Sequence, residues 1–234
     1  ETFKGCSNLE YISGTLFSGV TGARENRFNA TFQDCTSLVN IPSTLFNGVS
    51  GVASSLFMNT FKDCASISAI PTGLFDQADP VSAIGDFADI FNGTFDGCWG
   101  ITSNIPSGLF EDYAGAYAGM FKNTFRNCSG LTGSIPSNLF SAVTGGAEDM
   151  FNGTFQGCVN LTDAIPGNLF QNVSVGFNNM FAHTFDGCSN LTGNIPSNLF
   201  SGIDHSGDNM FAYTFAGCSR LSGSLPYNLF SGII

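Results

Sequence analysis

The residues best equipped for chemistry in this 234-residue chain are eight cysteines: Cys6, Cys35, Cys64, Cys98, Cys128, Cys158, Cys188 and Cys218. Thiols can pair as disulfides, and thiolates near histidine can hold zinc or act as nucleophiles. Spacing discriminates among these. Successive cysteines are 29, 29, 34 and then repeatedly 30 residues apart, so no C-x-x-C pair exists and each Cys occupies one equivalent position of a repeat. His183 and His205 are unrelated to one another in that repeat. His183 stands where other units have Gly93, Asn123, Gly153 or Tyr213, a freely varied surface place, and His205 lies in a variable stretch. No metal site, cofactor or catalytic residue is therefore predicted, because a periodic chain offers equivalent positions and not one special cleft. Free Cys is among the most buried residue types, so an internal ladder of reduced thiols is favoured over rung-to-rung disulfides.

Carboxylates are the second candidate set. The stretches 18–27, 47–56, 76–90, 111–120, 141–150, 171–180 and 201–210 vary most between units, and they carry 11 of the 18 acidic residues. The longest holds Asp76, Asp79, Asp86 and Asp89, and the next holds Glu111, Asp112, Tyr113 and Tyr117. Together they read as an acidic, aromatic binding patch, with calcium as one conceivable ligand of clustered carboxylates. The plainer alternative, which is preferred, is a solvated loop face that keeps a low-charge chain in solution. Sequons add Asn29, Asn92, Asn152, Asn160, Asn172 and Asn190 as candidate glycosylation acceptors; Asn127, beside a core Cys, is a poor one.

What must position these residues is the repeat itself, since a fixed period of 20–50 residues signals a solenoid or array. Units begin near 2, 31, 60, 94, 124, 154, 184 and 214, and residues 1–234 form one domain. Each reads T-F-x-x-C-x-x-[LI], then [IL]-P-x-x-L-F, then a variable stretch ending in Phe; only the first departs, with Ser13 in the Pro position. All of the 25 phenylalanines except Phe87 and Phe177 fall in three repeat positions, as a stacked internal ladder requires. Phe151, Phe155 and Cys158 at i, i+4 and i+7 predict one face of a short helix. The residue before each Cys is Gly, Asn or Asp, the types that tolerate positive φ and end helices. Leu161 to Ile165 predicts a brief strand closed by Pro166, and Ser137-Asn138-Leu139-Phe140 a capped helical turn. The fold class expected is α/β: a right-handed solenoid of about eight coils of roughly 30 residues, each too short to bury its own large side chains without neighbours.

The core F-x-x-C-x-x-L-x-x-I-P resembles the leucine-rich repeats of BspA-type surface proteins. Leu131-Thr132-Gly133-Ser134-Ile135-Pro136 is also similar to the L-T-G-x-I-P of plant-type leucine-rich repeats. The period of 30 is longer than usual, and no L-x-L-x-x-N stretch precedes the Cys. The resemblance implies an extracellular or cell-surface location, adhesion and the binding of protein or glycan, with no catalytic residues.

Composition narrows the partners further. The formal net charge is −11, with 7 Lys+Arg against 18 Asp+Glu, which argues against nucleic acid and anionic membrane surfaces. No run of about 20 apolar residues exists to insert in a membrane. The chain opens at Glu1 without a signal-like segment and reads as a processed or excised piece. Neither end carries an atypical polar unit. The alternative function is thus a structural protein whose copies assemble head to tail into a filament through uncapped terminal coils.

Overall fold

The computed structural model describes residues 1–76 and 86–233; Asp79, one of the candidate ligands, lies outside them. The chain stacks as successive coils, named here 1 to 8 after the cysteines from Cys6 to Cys218. Among the described residues there is no α-helix and no continuous strand, only two isolated parallel bridges, Ala88–Ala118 and Gly193–Leu221. The expected α/β coil is thereby corrected to a solenoid built of tight turns.

The reason lies in backbone geometry. In coil 2 the residues Asn26, Ala30 and Asp34 all have positive φ (55°, 51° and 62°). An α-helix needs every residue right-handed, so a left-handed residue at every fourth position forbids it. A four-residue turn period instead places Phe28, Phe32 and the nearby Cys35 on one side, and in sequence this is nearly indistinguishable from the 3.6-residue helical period. The amides divide their work. Thr31 and Cys35 donate locally to the carbonyls of Phe28 and Phe32, each at 3.1 Å. Phe28, Ala30, Phe32 and Asp34 donate instead to Leu56, Met58, Thr60 and Lys62 of the next coil, at 2.8–3.0 Å. Half the donors thus close turns and half tie coil to coil, and the pattern recurs along the stack. The Pro-x-x-Leu-Phe segment behaves similarly. Leu139, Ser141 and Val143 donate to Pro136, Asn138 and Phe140, each at 3.1 Å, so it is a run of turns and not a helical turn. Beyond the turn that follows each Cys, the chain donates back to the preceding coil, as Thr192 N–H does to Asp163 O at 2.9 Å.

Three columns of phenylalanine fill the interior. Phe28, Phe57, Phe91, Phe121, Phe151, Phe181 and Phe211 stack with ring centroids 5.4–5.8 Å apart. A second column runs from Phe3 to Phe215, and a third from Phe17 to Phe230. Rings of the third column meet the first at a tilt, as Phe121 meets Phe140 at 4.7 Å and 50°, an arrangement suited to the aromatic quadrupole. Leu, Ile and Cys complete one continuous buried cluster.

Candidate functional site

The thiols sit inside this cluster. Cys35, Cys64, Cys98, Cys128, Cys158 and Cys188 are fully buried, Cys218 is half-buried and Cys6 is exposed; all are free. Each from coil 3 onward points its Sγ at the T-F carbonyl of the preceding coil, as Cys128 does to Phe95 O at 3.0 Å. The buried Thr of the same motif does likewise: Thr124 Oγ1 lies 3.0 Å from Phe91 O. Burial pushes the thiols up from their ordinary value, well up for Cys98, Cys128 and Cys188 and to about 11 for Cys218. A thiol held protonated, buried and spent on a carbonyl is a structural group, not a nucleophile.

Among the described residues the acidic, aromatic stretches divide between core and surface. Tyr113 and Tyr117 are corrected from surface to core, being 1% and 8% exposed. Tyr113 occupies the position of Val143 and Val173 and packs edge-on against Phe91 at 4.7 Å, while Tyr117 meets Phe87 at 5.5 Å. The alignment of Phe110-x-x-Tyr113 with Phe140-x-x-Val143 was the signal for this. Asp89, at φ 57°, accepts from Asn92 Nδ2 at 2.8 Å and so secures a turn. Asp76, Asp86 and Glu111 remain exposed and Asp112 half-buried. Among the described residues no three His, Cys, Asp or Glu side chains gather as a metal site, and no helix is long and apolar enough to cross a membrane.

The sequons divide by environment. Asn29, Asn92 and Asn152 bond Asn26, Asp89 and Asp149 three residues back, at 2.7–3.0 Å, and their Thr partners are buried. Asn172 donates to Ser141 O at 2.8 Å and Asn190 accepts from Arg220 at 3.2 Å. Asn160 is exposed.

A different surface emerges from the turns. The left-handed residues and their neighbours form an outer strip running along the stack. At several junctions an Asx of one coil faces a Gly of the next. The Oδ1 atoms of Asn59, Asp63, Asp89 and Asn123 occupy the space where a side chain would begin on Gly93, Gly97, Gly119 and Gly153 of the next coil. Ion pairs cross the same strip. Asp96, almost buried, lies 2.5 Å from Lys62 Nζ and takes both Nε and Nη2 of Arg126 at 3.0 and 2.6 Å. Burial also lifts the Asp63 carboxyl above its ordinary value, against the pull of Lys62.

Two residues break the strip's rule of small left-handed side chains. His183 and Tyr213 both have φ 57°, in a column otherwise held by Ala30, Asn59, Gly93, Asn123 and Gly153. Their rings stack at 4.8 Å and 9°, and His183 Nδ1 is 2.9 Å from Asp186. Tyr213 is 66% exposed. A bulky side chain at positive φ is an outlier that costs about 1–3 kcal/mol. The place is therefore not freely varied, and its signal in sequence was the four-residue spacing from the Gly, Asn or Asp that precedes each Cys.

These features define a repeat solenoid with a uniform aromatic interior and an individual exterior. No family model matches the chain, and no curated protein is significantly similar to it. Among solved structures it is similar to a leucine-rich repeat protein from Bacteroides ovatus, at 20% identity and a TM-score of 0.34, over 92% of this chain and 54% of that one. It is also similar to a leucine-rich cell surface protein from Faecalibacterium prausnitzii, at 18% identity and a TM-score of 0.34, over 98% of this chain and 70% of that one. The chain thus spans about half the length of the Bacteroides protein.

Proposed function

We propose that this chain is a non-enzymatic recognition scaffold at a cell surface, binding a protein or glycan through its outer strip. The observation that carries the reading is the stacked His183–Tyr213 pair: two large rings held at positive φ where the other coils hold Ala, Asn or Gly. Strain retained at an exposed place, with no gain in core packing, points to use by a ligand. An exposed aromatic platform beside amide and carboxylate groups suits a sugar face or a flat protein epitope. The surface location rests on the F-x-x-C-x-x-L-x-x-I-P resemblance.

The test is Tyr213→Gly. Glycine removes the backbone strain and loses the ring stack, two effects of about 1 kcal/mol each and opposite sign, so stability should stay within about 1 kcal/mol of the parent. Binding to intact cells or to an array of glycans should fall at least tenfold. Full binding by a folded Tyr213→Gly chain would overturn the assignment.

A further inference from the structure

The chain's single tryptophan stands in the open in the middle of the stack. Trp99 follows Cys98 in coil 4 and is 60% exposed, in a column that holds Ser, Thr, Ala or Val in the other coils. Tryptophan is highly buried on average, so an indole left in water on an interior coil calls for a reason. Its ring makes no stack and its N–H no hydrogen bond among the described residues. The backbone that carries it is nonetheless fixed from both sides. A β-carbon on Gly100 would overlap Ala65 O of coil 3, and one on Gly130 of coil 5 would overlap Trp99 O. Neighbouring coils therefore meet here backbone to backbone, at a position where coils 6 and 7 carry Asn160 and Asn190.

Small residues flank the ring. The matching positions hold Ala65 and Ser66 on coil 3, and Ser129 and Gly130 on coil 5. One large aromatic side chain thus stands on a low shelf. The shelf is polar but without net charge. Lys62 and Arg126 are both taken up by Asp96. With Asp63, these turns of coils 3 to 5 hold two cations and two anions on a chain whose net charge is −11. What stays unpaired is a set of hydrogen-bonding groups. The hydroxyls of Ser66 and Ser129, the Asp63 carboxylate and the Asn127 side-chain amide make no hydrogen bond among the described residues. The Asp63 carboxylate lies over Gly97, two residues before Trp99.

We propose that Trp99 is the platform of a second binding site, apart from the His183–Tyr213 pair, and that its ligand is a neutral oligosaccharide. The C–H face of a pyranose lies flat on an indole, whose electron-rich face attracts it. The hydroxyls at the rim of the sugar both donate and accept, and so do the groups around the ring. Asp63 accepts, the indole N–H donates, and Asn127 and the two serine hydroxyls do either. The small side chains beside the indole leave room for a ring-shaped ligand. An anionic glycan would find both cations committed to Asp96 and would meet the charge of Asp63. A polyproline segment also stacks on indoles, but it has no N–H to give to Asp63 or to the serines.

The indole is its own reporter, since the chain has no other tryptophan. The experiment titrates the folded chain with cellotriose, maltotriose and mannotriose, and separately with a heparin tetrasaccharide and a hexaproline peptide. Trp99 emission and its quenching by acrylamide are followed. At least one neutral trisaccharide should shift the emission to the blue in a saturable way and protect the ring from acrylamide; the heparin fragment and the peptide should do neither. Trp99→Ser installs the residue that coils 1, 5, 7 and 8 carry at this position, so circular dichroism should show it folded. Calorimetry should find its affinity for the same trisaccharide lower by about tenfold or more, as loss of the stacking partner entails. Tyr213→Gly should leave the Trp99 response unchanged, which separates this site from the His183–Tyr213 strip. No response to any of the three trisaccharides would overturn the proposal. So would a stronger response to the heparin fragment or the peptide, undiminished binding by a folded Trp99→Ser chain, or loss of the response in a folded Tyr213→Gly chain.

Discussion

Replacing Gly97 by alanine tests the turn architecture where it is tightest. Gly97 has φ 76°, and a β-carbon there would overlap Asp63 Oδ1 of the coil below. Two costs add. A non-glycine residue in the left-handed region costs about 1–2 kcal/mol. Displacing the half-buried Asp63 carboxylate from its place over the backbone adds about 1–2 kcal/mol by analogy with other overpacked sites. Gly187 separates the two, because it has the same φ of 76° but meets nothing nearer than Gly157 at 3.6 Å. Gly187→Ala should therefore cost about 1–2 kcal/mol and Gly97→Ala about 2–4 kcal/mol. Adding Asp63→Gly to Gly97→Ala should return the contact cost, giving a favourable coupling of about 1–2 kcal/mol in a double-mutant cycle. Urea melts followed by circular dichroism read all four chains, with the slope checked for constancy because solenoids can lose cooperativity. Equal losses at Gly97 and Gly187, or no coupling with Asp63, would refute the argument that Asx packs into the space left by Gly.

The remaining expectations concern the core, the ion pairs and the thiols. Phe155→Ala, in a fully buried central rung, should cost about 3–5 kcal/mol in the same melts, while Glu148→Ala, exposed, should stay within about 0.5 kcal/mol. Asp96→Asn leaves Lys62 and Arg126 without their shared carboxylate; since both cations keep partial access to water, the expected loss is about 1–2 kcal/mol, and it should shrink little in high salt because the Asp96 carboxylate is almost buried. The native state should also become alkali-sensitive. Folding holds the ladder thiols protonated above their ordinary value of 9.0, so their stabilising contribution is complete below that pH. It is lost as pH rises toward the folded values, by about 1.4 kcal/mol per pH unit for each fully buried thiol. Melts between pH 8 and 10.5 should show that decline, with Cys98→Ala lessening the slope by one proton, and a flat profile would refute it.

How far the fold could be read from the residues depends on which periodicity is meant. The 30-residue period, the three Phe positions and the Cys column are side-chain patterns, and side-chain identity is what a sequence displays. Positive φ before each Cys was legible as well, because Gly5, Asp34, Asp63, Gly97, Asn127, Gly157, Gly187 and Gly217 are the types that accept it. The helix was misread because a turn repeated every four residues and a helical turn of 3.6 residues place Phe151 and Phe155 alike; the difference accumulates too slowly over two turns to show. What would have separated them is the second left-handed column, where Gly93, Asn123 and Gly153 fit the pattern and His183 and Tyr213 obscure it. The candidate site was hidden for that same reason: its two defining residues looked like noise at a tolerant position and are in fact exceptions at a demanding one. Tyr113 and Tyr117 were misplaced in the opposite sense, since hydroxyl-bearing rings in an acidic stretch suggest surface until their register against the Val column is counted.

The choice of cysteine, rather than another small buried residue, follows from the division of the amides. Because alternate N–H groups leave the coil to bond the next one, the T-F carbonyl is served within its own coil only by the amide of the following Cys, as Phe125 O is by Cys128 N at 3.1 Å. Its second lone pair faces the adjoining coil inside the apolar core, where an unmet acceptor is costly. Valine would fill the space and offer no donor. Serine would donate more strongly, but a smaller, more polar side chain packs less well among Phe and Leu. A thiol combines apolar bulk with a weak donor, and Cys158 Sγ supplies it to Phe125 O at 3.0 Å. Disulfides between rungs would consume the hydrogens that make these contacts, so the ladder is coherent only as free thiols. On this argument Cys158→Val and Cys158→Ser should each cost about 1–2 kcal/mol for opposite reasons, a lost donor and a lost contact. Cys158→Ala should cost more than either, because it loses both. Valine matching the parent in urea melts would show that the S–H bond contributes nothing and that cysteine is there for its volume alone.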